Sequence, residues 1–293
     1  MIRDRERRDL AVMLAPYLVG LAALVVVPGT VTFALSLFDY DLIRPATFAG
    51  LDNFRELARD AVFRTSLRNS LHFVLFAVPV RLAGAVALAL LLHRRFRGVG
   101  AYRTAAYLPT VVPDVAYALL WLWLFNPLYG PLNLTLGALG LPQPPWFTGL
   151  GATQAAVIIM SVFQLGEGFL VALATRQEIP GELYELISVE GAGPWATFRR
   201  ITLPLMAPTL ALLAARDVIF SFQATFVPAL LVTGGGPPPY ATTYLPLFIY
   251  TNGFQYLRYG YAAAATVCMI LVTAYIVLLQ YRMVRRWRES FVV

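Results

Sequence analysis

Five ionisable side chains interrupt long apolar runs: Arg81, Asp114, Glu167, Arg216 and Asp217. An ion at the centre of a bilayer costs at least about 2.5 kcal/mol on insertion scales, so each of these must face protein or water. Two readings of the set stand. The charges line a polar path across the membrane, or they pair between helices and hold those helices together. Bond-making chemistry has little else to draw on. All 23 basic residues are Arg and none is Lys. That excludes Schiff-base chemistry on Lys and the Gly-Lys-Ser/Thr of a P-loop, so this chain binds no ATP by that route. Cys268 stands alone inside an apolar run, where packing is its natural role and no intrachain disulfide is open to it. His72 and His93 are far apart and match no metal-ligand spacing.

The elements that must position these charges follow from composition. The 293 residues are 59% hydrophobic and only 13% charged, with a mean hydropathy of +0.67; soluble domains carry about 25% charged residues. Lipid is therefore the solvent for much of the chain. Six apolar runs are long enough to cross ~30 Å of hydrocarbon, which takes about 20 helical residues. They lie near 10–37, 69–92, 104–126, 152–175, 205–232 and 260–281. The first follows Arg3, Arg5, Arg7 and Arg8 but is well beyond the ~7–15 apolar residues of a secretory signal, so it reads as a retained span. The expected fold is an all-α integral membrane protein, one transmembrane domain over 1–293.

Arginine placement orients it. The N-terminal tail, the 93–103 loop (Arg94, Arg95, Arg97, Arg103), the 176–204 insert (Arg176, Arg199, Arg200) and the C-terminal tail (Arg282, Arg285, Arg286, Arg288) share one side. The other side has fewer, and those in the 38–68 loop are matched by Asp39, Asp41, Asp52, Glu56 and Asp60. The Arg-rich side should be the cytoplasm, with both termini inside. The same distribution explains the pI of about 9.7 without a nucleic-acid partner. On the outer side, 52–64 reads as a short surface helix with Leu51, Phe54, Leu57 and Ala58 on one face. The 127–148 loop is uncharged and rich in Pro and Gly; it is a docking surface or a tight connector.

The insert is a charged segment between apolar runs. Pro180 suits the first turn of a helix, and Glu182 and Glu185 then fall where the helix dipole favours acids. Glu178, Glu182 and Glu185 share a face by spacing, and Gly191 ends the run as a C-cap. Pro194 begins a second short helix carrying Trp195 and Phe198, with Arg199 and Arg200 at its end, and Pro204 opens the fifth span. The product is a helix–Gly–helix elbow outside the membrane.

This insert resembles the cytoplasmic "EAA" loop of the membrane subunits of binding-protein-dependent ABC importers, through Glu185, Gly191, Ala192, Phe198, Ile201, Leu203 and Pro204. The resemblance extends to Phe48-Ala49-Gly50-Leu51-Asp52-Asn53-Phe54, Leu92-His93-Arg94-Arg95-Phe96-Arg97-Gly98, Tyr107-Leu108-Pro109, Thr233-Gly234-Gly235-Gly236-Pro237 and Gly260-Tyr261-Ala262-Ala263-Ala264, the pattern of sugar-type permeases. It departs where the family's two Ala are Leu186 and Ile187 and its Asp is Glu190. The resemblance implies a type I importer permease of a bacterial inner membrane with no catalysis of its own. Its implied partners are a second permease subunit, an ABC ATPase dimer that binds the ATP, an extracellular solute-binding protein and membrane lipid. Glu182, Glu185, Glu190, Gly191, Ala192, Phe198 and Pro204 are then the residues that meet the ATPase.

A carbohydrate is the expected solute class. Tyr117, Trp121 and Phe222 would stack on sugar rings, or simply pack; Gln164 and Gln223 would supply hydrogen bonds. A glycerol-phosphate-type solute is the alternative and would favour Arg81 or Arg216 in the path. An ion-coupled transporter with Asp114 and Glu167 as relays is a third reading, but it leaves the elbow unexplained. Arg216 and Asp217 point about 100° apart on a helix, so at most one of them faces a path.

Overall fold

The computed structural model describes residues 2–94, 96–147, 149–234, 236 and 240–289, with side-chain surroundings from residue 10 to 285 except Leu150. Arg95, Gly235 and Pro237 lie outside the described residues, as do the side chains of Arg3, Arg5, Arg7, Arg8, Arg286 and Arg288.

In chain order, α1 (Ile2–Leu21) runs through a wider π turn at Ala22–Val26 into α2 (Val27–Leu35). A two-stranded hairpin, β1 (Phe38–Asp39) and β2 (Thr47–Phe48), leads to α3 (Asp52–Arg59) and the long α4 (Ala61–Leu92). Next come α5 (Val99–Val111), α6 (Asp114–Leu124), α7 (Pro131–Ala138), α8 (Leu150–Phe163) and α9 (Gly166–Glu178). The elbow is α10 (Gly181–Val189) and α11 (Pro194–Thr197), which passes through a π turn at Phe198–Thr202 into α12 (Leu203–Ala224). α13 (Phe226–Leu231), α14 (Leu245–Tyr250), a π turn at Thr251–Gln255 and α15 (Tyr259–Glu289) complete the order.

Four helical stretches are long and apolar enough to cross a membrane: Leu10–Leu35, Ala61–Leu92, Pro194–Leu231 and Tyr259–Arg285. Two bent pairs bring the number to six if each pair is one span. The expected third span is α5 with α6, bent by 100°. Pro113 causes the break: it forces Val112 into extended backbone and cannot continue the helix. Pro109 stays inside α5. The expected fourth span is α8 with α9, bent by 45°, an interruption at Gln164 and Leu165 that the apolar pattern conceals.

Two boundaries shift from expectation. The second span begins at Ala61, because residues 61–68 continue the same helix despite Arg64 and Arg68. The surface helix stops at Arg59, and its buried face is Asn53 and Leu57, whereas Leu51 is exposed. The reason is polar. The chain leaves α2 with its last carbonyls free, and the Asn53 amide donates to the carbonyls of Ser36 and Phe38 at 3.0 and 2.9 Å.

The chain forms two compact units, one of the described residues up to Ala61 with Phe248–Ile270, the other of Val62–Leu247 with the described residues from Leu271. In the first, no apolar side chain from Leu10 to Leu35 is buried and most are exposed, as expected where lipid or another subunit is the neighbour. Gly260 approaches the hairpin so closely that a Cβ would collide with the Phe38 carbonyl, which explains the small residue opening the Gly-Tyr-Ala-Ala-Ala motif. Arg258 donates to both carboxylate oxygens of Glu56 at 2.7 Å, and the Tyr261 hydroxyl donates to Asp60 at 2.7 Å.

In the second unit, α4, α9 and α12 meet through Ala85, Ala89, Phe169, Ala172, Met206 and Leu210. Small residues let the helix backbones approach. At Gly166 a Cβ would strike Thr110 and the backbone of Tyr107, so only Gly lets α9 start against α5. A second cluster packs Tyr117 and Trp121 of α6, and Phe125 just after it, on Ala156 and Met160 of α8 and on Trp146.

Candidate functional site

The elbow is built as its sequence requires. Pro180 lies just outside α10, at its N-cap. Glu182 is in the first turn, where the positive end of the dipole favours it. Glu178 ends α9, and extended backbone at Ile179 and Pro180 separates it from α10, so it does not share a helix face with Glu182 and Glu185. At the other end Gly191 takes φ +75°. Its N–H donates to the Ser188 carbonyl at 3.0 Å, and that of Ala192 to Ile187 at 3.2 Å. These two bonds are a Schellman cap, which satisfies carbonyls that the helix end leaves free.

The two bulky departures from the family pattern have opposite roles. Ile187 is buried, whereas Leu186 is 64% exposed and projects outward with Val189 at 88%. Across the Gly turn, Trp195 is 72% exposed and stacks on Phe198 with centroids 5.5 Å apart. Glu182, Glu185 and Glu190 are exposed around this apolar knob. The elbow is braced from behind. The Tyr184 and Thr202 hydroxyls bond at 3.0 Å, and the Arg176 guanidinium lies 4.1 Å over the Tyr184 ring. Sequence spacing gave no sign of either brace. Arg199 and Arg200 do not end a short helix: they lie in the π turn that joins α11 to α12, and Pro204 is in the first turn of α12.

Four of the five charges within apolar runs form two pairs. Arg81 Nε of α4 lies 3.1 Å from Asp217 Oδ2 of α12, with the side chains 5% and 16% exposed. The Nε–H is not aimed along that contact, so it is an ion pair without a hydrogen bond; an Arg81 NH₂ group donates instead to Ser221 Oγ. Ser221 in turn donates to the Asp217 carbonyl at 2.7 Å. It is four residues beyond Asp217, on the same helix face, and that spacing was its only signal in the sequence. The second pair joins Arg216 of α12 to Glu167 of α9, each side chain 48% exposed. Adjacent Arg216 and Asp217 thus address different neighbours, as their angular separation requires.

Glu167 falls in the first turn of α9 because the chain breaks at Gln164 and Leu165, and its carboxylate sits favourably at that helix start. Glu167 and Arg216 border an open hollow of about 320 Å³ with Thr209 and Leu212. Gln164, Arg81 and Asp217 border a void of only about 30 Å³, room for one water. Asp114 opens α6 at an exposed position and makes no ion pair among the described residues.

The candidate aromatics lie inward. Tyr117 and Trp121 are buried in the α6–α8 cluster, where Tyr117 donates to the Met160 carbonyl at 2.6 Å and Trp121 stacks on Phe125 at 5.0 Å. Phe222 is buried and Gln223 exposed. Among the described residues no group of His, Cys, Asp and Glu is arranged to hold a metal ion.

Known proteins are similar to this chain in sequence and fold. The family model of the binding-protein-dependent transport system inner membrane component matches residues 82–289. The probable ABC transporter permease protein YesP of Bacillus subtilis is 31% identical over 278 residues, 94% of this chain and 89% of that protein. The sn-glycerol-3-phosphate transport system permease protein UgpA of Agrobacterium fabrum is 33% identical over 241 residues, 82% of each chain. A chain of a bacterial ABC transporter involved in the import of the acidic polysaccharide alginate superposes with a TM-score of 0.83 at 26% identity, over 97% of this chain and 98% of that one. That transporter is also known in complex with an alginate pentasaccharide-bound periplasmic protein. The fold is that of a type I importer permease, and the chain belongs to the family of binding-protein-dependent transport system inner membrane components.

Proposed function

We propose that this chain is the membrane-spanning permease subunit of an ATP-driven importer for a carbohydrate, and that the 182–204 elbow is where an ATPase dimer drives it. The observation that carries the coupling reading is the elbow's outer surface. Leu186, Val189 and Trp195 form an exposed apolar knob among Glu182, Glu185 and Glu190, and the Schellman cap at Gly191 fixes its shape. An apolar centre with a charged rim suits seating in a partner's groove. With no Lys in the chain, the ATP site belongs to that partner.

The Arg-rich loops put the elbow and both termini in the cytoplasm. A second permease subunit covers the exposed α1–α2 stretch, and an extracellular solute-binding protein delivers the solute. The solute passes Glu167 and Arg216, the two half-exposed midplane charges. ATP-driven closure then biases the pore between two states through differential contacts at the elbow. A glycerol-phosphate-type solute is the second reading, favoured by the similarity to UgpA and by the open position of Arg216.

The test is ATP hydrolysis by the reconstituted complex with its solute-binding protein. Glu185→Lys is expected to insert normally and to abolish solute-stimulated hydrolysis. Stimulation at the parental level would overturn the coupling assignment.

A further inference from the structure

A groove of about 1080 Å³ runs along α4 beneath the elbow. Its long wall is Pro79, Leu82, Val86 and Leu90 of α4, and its opposite wall is Trp195, Phe198 and Leu203. At one end stand His93, Arg94 and Arg176, and no Asp or Glu is among the described residues that line it. Arg176 is held by its stack on Tyr184, yet its Nε is buried without a hydrogen-bond partner. Neighbouring Arg103 is already committed, donating twice to the Leu92 carbonyl at 3.1 and 2.7 Å. The groove thus ends in two guanidinium groups with no acidic partner among the described residues, one with an unused buried donor. Burial and the nearby charges of Arg176, Arg94 and Arg103 also hold the His93 imidazole below its ordinary pKa, a sign of how positive this end is.

We propose that this groove binds an anionic phospholipid, its headgroup phosphate on Arg94 and Arg176 and an acyl chain along α4. Basic pockets between membrane helices recognise such headgroups. The dimensions agree: Pro79 to Leu90 is about 16 Å of helix, roughly the hydrocarbon depth of one leaflet in a ~30 Å core. The cations sit where α4 ends, at headgroup level. A soluble phosphate would use the cations and leave the apolar length unfilled. The site shares Trp195 with the elbow's apolar knob, but its cations and its wall along α4 lie outside that knob, so it does not rest on the ATPase contact.

The test is lipid retention by the full-length chain, purified with its co-assembling subunits and weighed by native mass spectrometry after exposure to equal amounts of phosphatidylglycerol and phosphatidylcholine. Phosphatidylglycerol is expected to be retained preferentially. Arg94→Gln with Arg176→Gln should weaken its retention about tenfold to thirtyfold, the effect of removing two cations from an anionic surface, and leave phosphatidylcholine unchanged. Ala87→Phe keeps both cations, fills the groove from an exposed position on α4, and should displace the lipid as well. Excess glycerol phosphate, a headgroup without tails, should not compete. Equal retention of the two lipids by the parental complex, as when another subunit fills the groove, overturns the proposal. So does unchanged retention in the Arg variants or in Ala87→Phe, or displacement by glycerol phosphate.

Discussion

Arg81 and Asp217 join α4 to α12 through a contact of 3.1 Å that is almost sealed from solvent. Removing one partner of such a pair leaves an uncompensated charge, which costs about 3–5 kcal/mol. Asp217→Ala should therefore unfold at markedly lower temperature in detergent. Arg81→Met combined with Asp217→Leu should recover most of the loss, because both desolvated charges are gone. Thermal unfolding of the three variants checks this; a double variant no better than Asp217→Ala would show that the pair does more than satisfy itself.

Arg216 and Glu167 should behave differently. Both are half exposed, and pairs in that setting contribute about 0–1 kcal/mol. Glu167→Gln is expected to leave unfolding temperature nearly unchanged and to alter uptake severalfold. Solute uptake into proteoliposomes, measured beside thermal unfolding, separates the two effects.

Gly191 offers a graded experiment, since only its left-handed backbone allows the Schellman cap. Asn tolerates that conformation, so Gly191→Asn should retain most ATPase coupling. Gly191→Ala must bear about 1 kcal/mol of strain and should be intermediate. Gly191→Pro fixes φ near −65° and removes the N–H that bonds Ser188, so it should abolish coupling while membrane insertion persists. Solute-stimulated ATP hydrolysis ranks the three.

His93 gives the fold a pH dependence of known sign. Its pKa is lowered, chiefly by burial and then by Arg176, Arg94 and Arg103, against a hydrogen bond to the Leu90 carbonyl that raises it. Below about pH 6.5 the unfolded chain binds a proton that the folded chain resists. Stability should be level above that pH and fall as pH drops toward the folded-state pKa. His93→Gln should flatten this component of the unfolding-temperature profile.

Legibility in the sequence followed locality. The cap at Gly191 was readable because a helix end is decided by a few adjacent residues. The break at Gln164 and Leu165 was not, because it depends on α9 docking against Thr110 through Gly166, a contact between remote segments. The short helix expected at Pro194 is continuous with α12 for a similar reason. Pro204 suggested an interruption, but the π turn at Phe198–Thr202 takes up the register that a Pro disturbs. The five charges within apolar runs stood out at once, whereas the division of four of them into a sealed pair and an open pair, with Asp114 apart, follows from helix packing. The buried fate of Ile187 beside exposed Leu186 was equally hidden.

The continuity from Pro194 through α12 has a mechanical consequence. Trp195 and Arg216 lie on one unbroken helical stretch, about 30 Å apart at ~1.5 Å per residue. Under the proposed coupling, a push delivered at the indole would reach Arg216 along a single lever with no loop in between to absorb it. Stiffness of that shaft, and of its one wide turn at Phe198–Thr202, would set how much of the stroke arrives.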